Sequence, residues 1–183
     1  MTLQITDAEL LMQFRTTDRR EESYTILIRR YQERLYWHIR RIVIDHDDAN
    51  DILQNVFIKV WKSLDGFRED SQLFTWLYRI ATNESITFLN SKKKRFYLPI
   101  EDVTKELKNK LTTSGNFSES KTELKLQEAI LSLPEKQRIV FNLRYYDEMP
   151  YEEMSRVLGT SEGALKASFH HAVKKVEKFL LAV

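Results

Sequence analysis

The stretch DILQNVFIKVWKSL, Asp51–Leu64, decides how the chain folds. Ile52, Leu53, Val56, Phe57, Val60, Trp61 and Leu64 recur at intervals of three and four residues, and at about 100° per residue they share one face of a helix. Asp47, Asp48 and Asp51 cluster near its start, where the positive end of the helix dipole favours carboxylates. The spacing predicts a self-capped helix over residues 48–64. Similar periodicity predicts helices over 7–16, 22–44 and 71–91. Chain breakers are scarce in this half: all three prolines, Pro99, Pro134 and Pro150, lie beyond Leu98, and Gly66 is the one glycine before it. A bundle of four helices follows.

The stripe opposite the apolar face of residues 48–64 is Asp51, Gln54, Asn55, Ile58 and Lys62. A large apolar group in the middle of polar ones suits a surface that docks another protein better than one that only meets water. Residues 45–65 hold five aspartates against two lysines, an acidic patch that repels phosphate and suits a basic protein partner.

The next helix, LFTWLYRIATNES, Leu73–Ser85, has two faces with different demands. Phe74, Leu77, Tyr78, Ala81 and Phe88 form a core stripe, and Trp76, Arg79 and Asn83 fall roughly opposite. Trp76 could pack with Leu73 and Ile80 as a second core layer, or it could serve a recognition surface. Residues 66–98 carry six cations, Arg68, Arg79, Lys92, Lys93, Lys94 and Arg95, against three acids, and Phe67, Phe74, Trp76 and Tyr78 interleave with them. Aromatic planes beside a basic track are what unstacked bases need, since stacking stabilises each exposed base by about 1–3 kcal/mol. Asn83 adds an amide able to read a base edge.

From about Ser91 the character changes to a polar stretch of low periodicity, with SKKKR followed by PIEDVTKELKNKLTTSGNFSES. It reads as a flexible linker, transiently helical around Val103 to Leu111, that lets two domains move independently. Helices are expected over 123–131 and 135–145. Beyond them YEEMSRVLGTSEGALKASFHHAVKK, Tyr151–Lys175, joins a helix of about two turns to a Ser-capped second helix through a Gly-containing turn. That is a helix-turn-helix layout. Met154, Val157 and Leu158 can meet Leu165, Phe169 and Ala172, which turns Lys166, Ala167, His170, His171 and Lys174 outward, toward a duplex major groove. An ordinary helical hairpin would have the same pattern.

Several chemistries are excluded. The chain of 183 residues has no cysteine, so disulfides, thiolate zinc sites and thiol catalysis are absent. His170 and His171 point about 100° apart and cannot clamp one ion as an i, i+4 pair can. A calcium loop around His46 fails, because Ala49, Asn50 and Val56 occupy its fifth, sixth and twelfth positions. With no phosphate loop, nucleophile elbow or paired carboxylates, no catalytic residue, metal or cofactor is expected. The first residues lack the charged and apolar runs of a signal peptide, and a cytoplasmic protein is expected. A net charge of +2 says little on its own, because basic and acidic patches offset each other.

Taken together, these residues resemble the sigma-70 family of bacterial transcription initiation factors, in its extracytoplasmic-function (ECF) group. The stretch from YTILIRRYQERL to ATNESITFL is similar to region two, and LPEKQRIVFNLRYYDEMPYEEMSRVLGTSEGALKASFHHAVKKVEKFL is similar to region four; the wording SEGALKASFHHAVKK looks most like members from Bacteroidetes. The resemblance implies an all-α fold of two small helical domains, a four-helix region-two bundle over 1–95 and a helix-turn-helix region-four domain over 121–183, joined by a linker over 96–120. It implies a non-catalytic subunit of core RNA polymerase with no small-molecule substrate. Asp51, Gln54, Asn55 and Ile58 would dock on the beta-prime clamp helices, with the beta flap as a further contact. Phe67, Arg68, Trp76, Arg79 and Asn83 would capture a base flipped from the minus-ten element, and Lys166, Ala167, His170, His171 and Lys174 would face the minus-thirty-five duplex. Many members carry arginines where Ser168 and His171 stand here, so the promoter sequence read should differ. An anti-sigma factor, often membrane-bound in the family, is a further implied partner. A stand-alone helix-turn-helix regulator is the alternative, and a helical enzyme or interaction module with no nucleic-acid role is the third class.

Overall fold

The structure is a computed structural model that describes residues 5–96 and 121–182. The described residues form eight α-helices: α1 (Asp7–Arg15), α2 (Arg20–Val43), α3 (His46–Ser63), α4 (Leu73–Phe96), α5 (Lys121–Leu131), α6 (Glu135–Tyr145), α7 (Tyr151–Leu158) and α8 (Glu162–Leu181). No strand occurs among them. The all-α expectation of a region-two-like helical bundle and a helix-turn-helix domain holds. The expected linker, with the transient helicity expected around Val103 to Leu111, lies in residues 97–120, outside the described residues.

Local chemistry sets the helix ends. Thr6 and Glu9 form a reciprocal capping box on α1, with Thr6 N donating to Glu9 Oε2 at 2.7 Å and Glu9 N to Thr6 Oγ1 at 3.2 Å. The carboxylate that caps α3 is Asp45, whose Oδ1 accepts from the amides of Asp47 and Asp48 at 3.0 Å each. The helix therefore starts at His46, two residues before the expected point, and Asp47 and Asp48 occupy its first turn. In the second half Pro134 and Pro150 stand immediately before α6 and α7. A missing N–H costs nothing there, because the first amides of a helix have no partner within it.

The first four helices close around Leu35, Ile39, Ile42, Val56, Val60, Leu77 and Ala81, all fully buried. The second group has its own small core of Ala129, Ile130, Leu133, Phe141, Ala172 and Val176. The two groups are not separate bodies in this arrangement. The main apolar cluster runs from Leu73, Leu77 and Tyr78 into Met149, Met154, Val157 and Leu165, so α4 lies against α7. Although the sequence reading expects two independently moving domains, the structure packs one on the other.

Leu35 sits at the centre of the first bundle. Leu35→Ala should lower the unfolding free energy by about 2–5 kcal/mol through lost transfer energy and a residual cavity, read as a reduced midpoint in guanidinium denaturation.

Candidate nucleic-acid interface

Three surfaces gather the residues singled out from the sequence. On α3, Asp51, Gln54, Asn55 and Ile58 are all exposed, and Ile58 keeps 52% of its surface open. Beside them a groove of about 610 Å³ runs between α2 and α3, lined by Tyr24, Ile28, Leu53, Phe57, Ile58 and Trp61. Tyr24 anchors its floor by donating to the carbonyl of Phe57, and burial pushes its phenol up to about 12. A second cavity of about 560 Å³ continues past Leu53 toward Tyr36, Trp37, Arg40 and His46. The α2 side of this surface escaped the sequence reading. Its signal was Tyr24, Ile28 and Gln32 at four-residue intervals beside the core stripe, and Trp37, which is 37% exposed.

The second surface lies at the start of α4. After α3 a single 3-10 turn, Leu64–Gly66, redirects the chain, and Phe67 N donates to Leu64 O at 3.1 Å. The turn drives the Phe67 ring inward, leaving it 6% exposed beneath Trp76, with ring centroids 5.1 Å apart. Phe67 therefore offers no face for a base in this arrangement and instead supports Trp76 from below. Arg15 holds the following loop, donating to Phe67 O at 2.9 Å and pairing with Glu69 at 3.0 Å. Arg68, Arg79 and Asn83 are exposed, and Trp76 is half-buried. The two readings of this helix both contain part of the answer: Leu73 joins the core, and the polar residues of the opposite stripe face outward. A pocket of about 240 Å³ opens beside Trp76 and Arg79, with Asp70, Ser71 and Thr75 from the same region and Arg156 from α7.

The third surface is the outer face of α8. Gly159 adopts φ 63°, a left-handed conformation that ends α7 and favours a residue without a side chain. Ser161 then caps α8 by accepting from Ala164 N at 3.4 Å. Met154 and Val157 of α7 and Leu165 and Ala172 of α8 are buried. This leaves Lys166, Ala167, His170, His171 and Lys174 all exposed. The two histidine rings lie 6.0 Å apart with planes 56° from parallel, a geometry that does not converge on one ion. Among the described residues no group of three or more metal-ligating side chains exists. Lys166 Nζ lies 3.4 Å from Glu162 Oε2 and 5.5 Å from the centroid of the Tyr151 ring, which places its ammonium near the start of α7.

A helical bundle with an exposed polar-apolar stripe and a cationic aromatic face, followed by a helix-turn-helix whose second helix keeps its outer face exposed, defines a two-part all-helical protein that ends in a helix-turn-helix. Comparison with known proteins gives the same answer. Residues 27–95 match Sigma-70 region 2 and residues 123–176 match Sigma-70 region 4. The chain is 30% identical to the RNA polymerase sigma-H factor of Pseudomonas aeruginosa, over 98% of this chain and 96% of that protein. It is also 30% identical to the ECF RNA polymerase sigma-E factor of Escherichia coli, over 97% and 95% of the two chains, and to the ECF RNA polymerase sigma factor SigW of Bacillus subtilis, over 87% and 90%. The chain belongs to the sigma-70 family, in its ECF group. Its fold is that of CnrH, solved in complex with the cytosolic domain of CnrY, with a TM-score of 0.69, 24% identity and coverage of 96% and 97%. It is also that of the sigma factor RpoE of Bartonella quintana, solved with the anti-sigma factor NepR, with a TM-score of 0.65, 20% identity and coverage of 90% and 98%.

The division between buried and exposed residues around the start of α4 has a thermodynamic signature. Phe67→Ala should destabilise the fold by about 3–5 kcal/mol, as deletion of a buried ring does. Arg79→Ala should stay within about 0.5 kcal/mol of the parent, as exposed substitutions do. Chemical denaturation of both variants measures the contrast.

Proposed function

We propose that the chain joins core RNA polymerase and directs it to promoters, without catalytic chemistry of its own. The observation that carries this reading is the presence of sigma-70 regions 2 and 4, in that order, within one chain that aligns along nearly its whole length with curated sigma factors. In this reading residues 1–95 bind polymerase and melt the minus-ten element, 96–120 link, and 121–183 read the minus-thirty-five duplex. The exposed stripe Asp51, Gln54, Asn55 and Ile58, with the apolar groove beside it, docks on the beta-prime clamp helices. An apolar residue ringed by polar ones is the composition of an interface centre. A stand-alone regulator would have no use for it.

Asn83, Arg79, Arg68 and Trp76 form the minus-ten site. Extruding a base costs a few kcal/mol, and a half-buried tryptophan backed by Phe67, a cation and an amide at helical spacing supply stacking, charge and a hydrogen-bonding edge. Lys166, Ala167, His170, His171 and Lys174 enter the major groove of the minus-thirty-five element. Ser168 and His171 stand where many family members carry arginine. Bidentate contacts to guanine are reduced accordingly, and the element recognised differs from theirs.

The work is done in the cytoplasm, where polymerase and chromosome are. None of the described helices is long and apolar enough to cross a membrane. The partners are core polymerase, through the clamp helices and the beta flap, promoter DNA, and an anti-sigma factor, as NepR is for RpoE in its solved complex.

Run-off transcription with core polymerase on fragmented genomic DNA tests the proposal. Discrete transcripts downstream of a shared two-part element are expected, and their absence together with failure to co-migrate with core polymerase would refute it. Ile58→Glu should weaken polymerase binding at least tenfold with an unchanged melting temperature. Asn83→Ala should leave polymerase binding intact and reduce open-complex formation detected by permanganate footprinting, whereas Lys166→Ala should reduce duplex recognition and spare capture of the melted strand.

A further inference from the structure

The contact between the two regions is centred on one carboxylate. Asp147 leaves the end of α6 in a short loop and is 7% exposed, surrounded by three side chains of the first region. Tyr78 donates its hydroxyl to Asp147 Oδ1 at 3.1 Å, Arg41 Nη1 lies 3.4 Å from the same oxygen, and His38 Nδ1 lies 3.2 Å from Oδ2. His38 is fully buried, and its other nitrogen meets Thr82 Oγ1 at 2.9 Å, which anchors the cluster in α4. Asp147 and Met149 donate their amides to Asn142 O and Leu143 O at 3.3 and 3.0 Å. Between them Glu148 holds φ 50°, a left-handed conformation uncommon for a residue with a side chain. The loop is thus fixed in the one geometry that turns Asp147 inward.

Further polar bonds flank this carboxylate. Thr75 donates to Glu153, Arg156 Nη1 donates to Asp70 O at 2.6 Å, and Asn142 Nδ2 donates to Arg41 O at 3.4 Å. Asn142 Oδ1 is buried at the same contact with no hydrogen-bond partner. Asn142 Oδ1, buried here without a partner, gains water on separation, and polar bonds of this kind are the composition of an interface between domains that move relative to one another.

We propose that the chain closes on itself, and that Asp147 is the latch that sets the balance between this closed form and an open form in which α7 leaves α4. In the closed form Arg156 walls the pocket beside Trp76 and Arg79, while the outer face of α8 stays exposed. The consequence for transcription rests on the sigma-factor reading. Two elements whose names put them about 25 base pairs apart are roughly 85 Å apart along a duplex with a 3.4 Å rise. Regions joined through Arg156 and Asp70 cannot reach both, so polymerase must capture the open form, and the latch lowers the apparent affinity by the fraction open. Removing the carboxylate's charge removes its charge attraction to Arg41, and a lysine there adds a cation beside Arg41.

The test needs neither polymerase nor DNA, so it stands or falls separately from the transcription assay. Spin labels on cysteines introduced at the exposed positions Glu22 and Lys178, in a chain with no cysteine of its own, report the separation by pulsed electron resonance. The full-length parent should give one narrow distance. Asp147→Asn and Asp147→Lys should raise the ratio of long to short distances at least tenfold, with unchanged helical circular dichroism. If Asp147→Lys loses helical signal, Arg41→Gln removes a charge facing the same carboxylate from the other side and should shift the ratio in the same direction. A broad distribution in the parent would overturn the closed form. A parent-like narrow distance in folded Asp147→Asn and Arg41→Gln would overturn the latch.

Discussion

The structure depends on α4 being buried on more than one side. Leu77, Tyr78 and Ala81 fill the first bundle against α2 and α3, and Leu73 and Leu77 also belong to the apolar cluster that reaches Met154 and Val157 of α7. One helix is therefore a wall of the polymerase-side bundle, the carrier of Arg79 and Asn83, and the seat of the helix-turn-helix. A helix contacted on several sides has little freedom to move. Arg79 and Asn83 therefore project from a fixed frame.

Polar groups buried near this helix follow a different logic from the apolar core. Tyr78 lies under the Asp147 carboxylate, and burial together with that negative charge raises its phenol well above the ordinary tyrosine range, so it stays a donor. Arg138 in α6 is likewise buried, and desolvation lowers its pKa while nearby Glu135 opposes the shift. Placing such groups in a core is costly unless partners are fixed around them. Tyr78 and Asp147 meet at the seam between the regions, while Leu35, Ile39 and Val60 pack the interior of the first bundle.

The exposed surfaces divide in the same way. Ile58 and the groove beside it offer apolar area to a protein partner, whereas Arg68, Arg79, Lys166 and Lys174 offer cations to phosphate. Aspartates around α3 give that surface a negative field that repels phosphate.

Periodicity alone determined the helices, because a 3.6-residue repeat is a local property: α6 agrees with the expected bounds, and other ends shift by a few residues where a cap such as Asp45 or continued helical packing decides. The outward faces of α3 and α8 were legible for the same reason, as were the absence of thiol chemistry and the two regions that set the family. Phe67 was not, because an aromatic in a loop has no repeat to say which way its ring points, and only the 3-10 turn after α3 sends it beneath Trp76. Nor was the pairing of Asp147 with His38, Arg41 and Tyr78, whose partners lie between 69 and 109 residues away along the chain. A carboxylate after a helix looks like any solvated acid until the packing of two regions removes its water, and that decision belongs to tertiary structure alone.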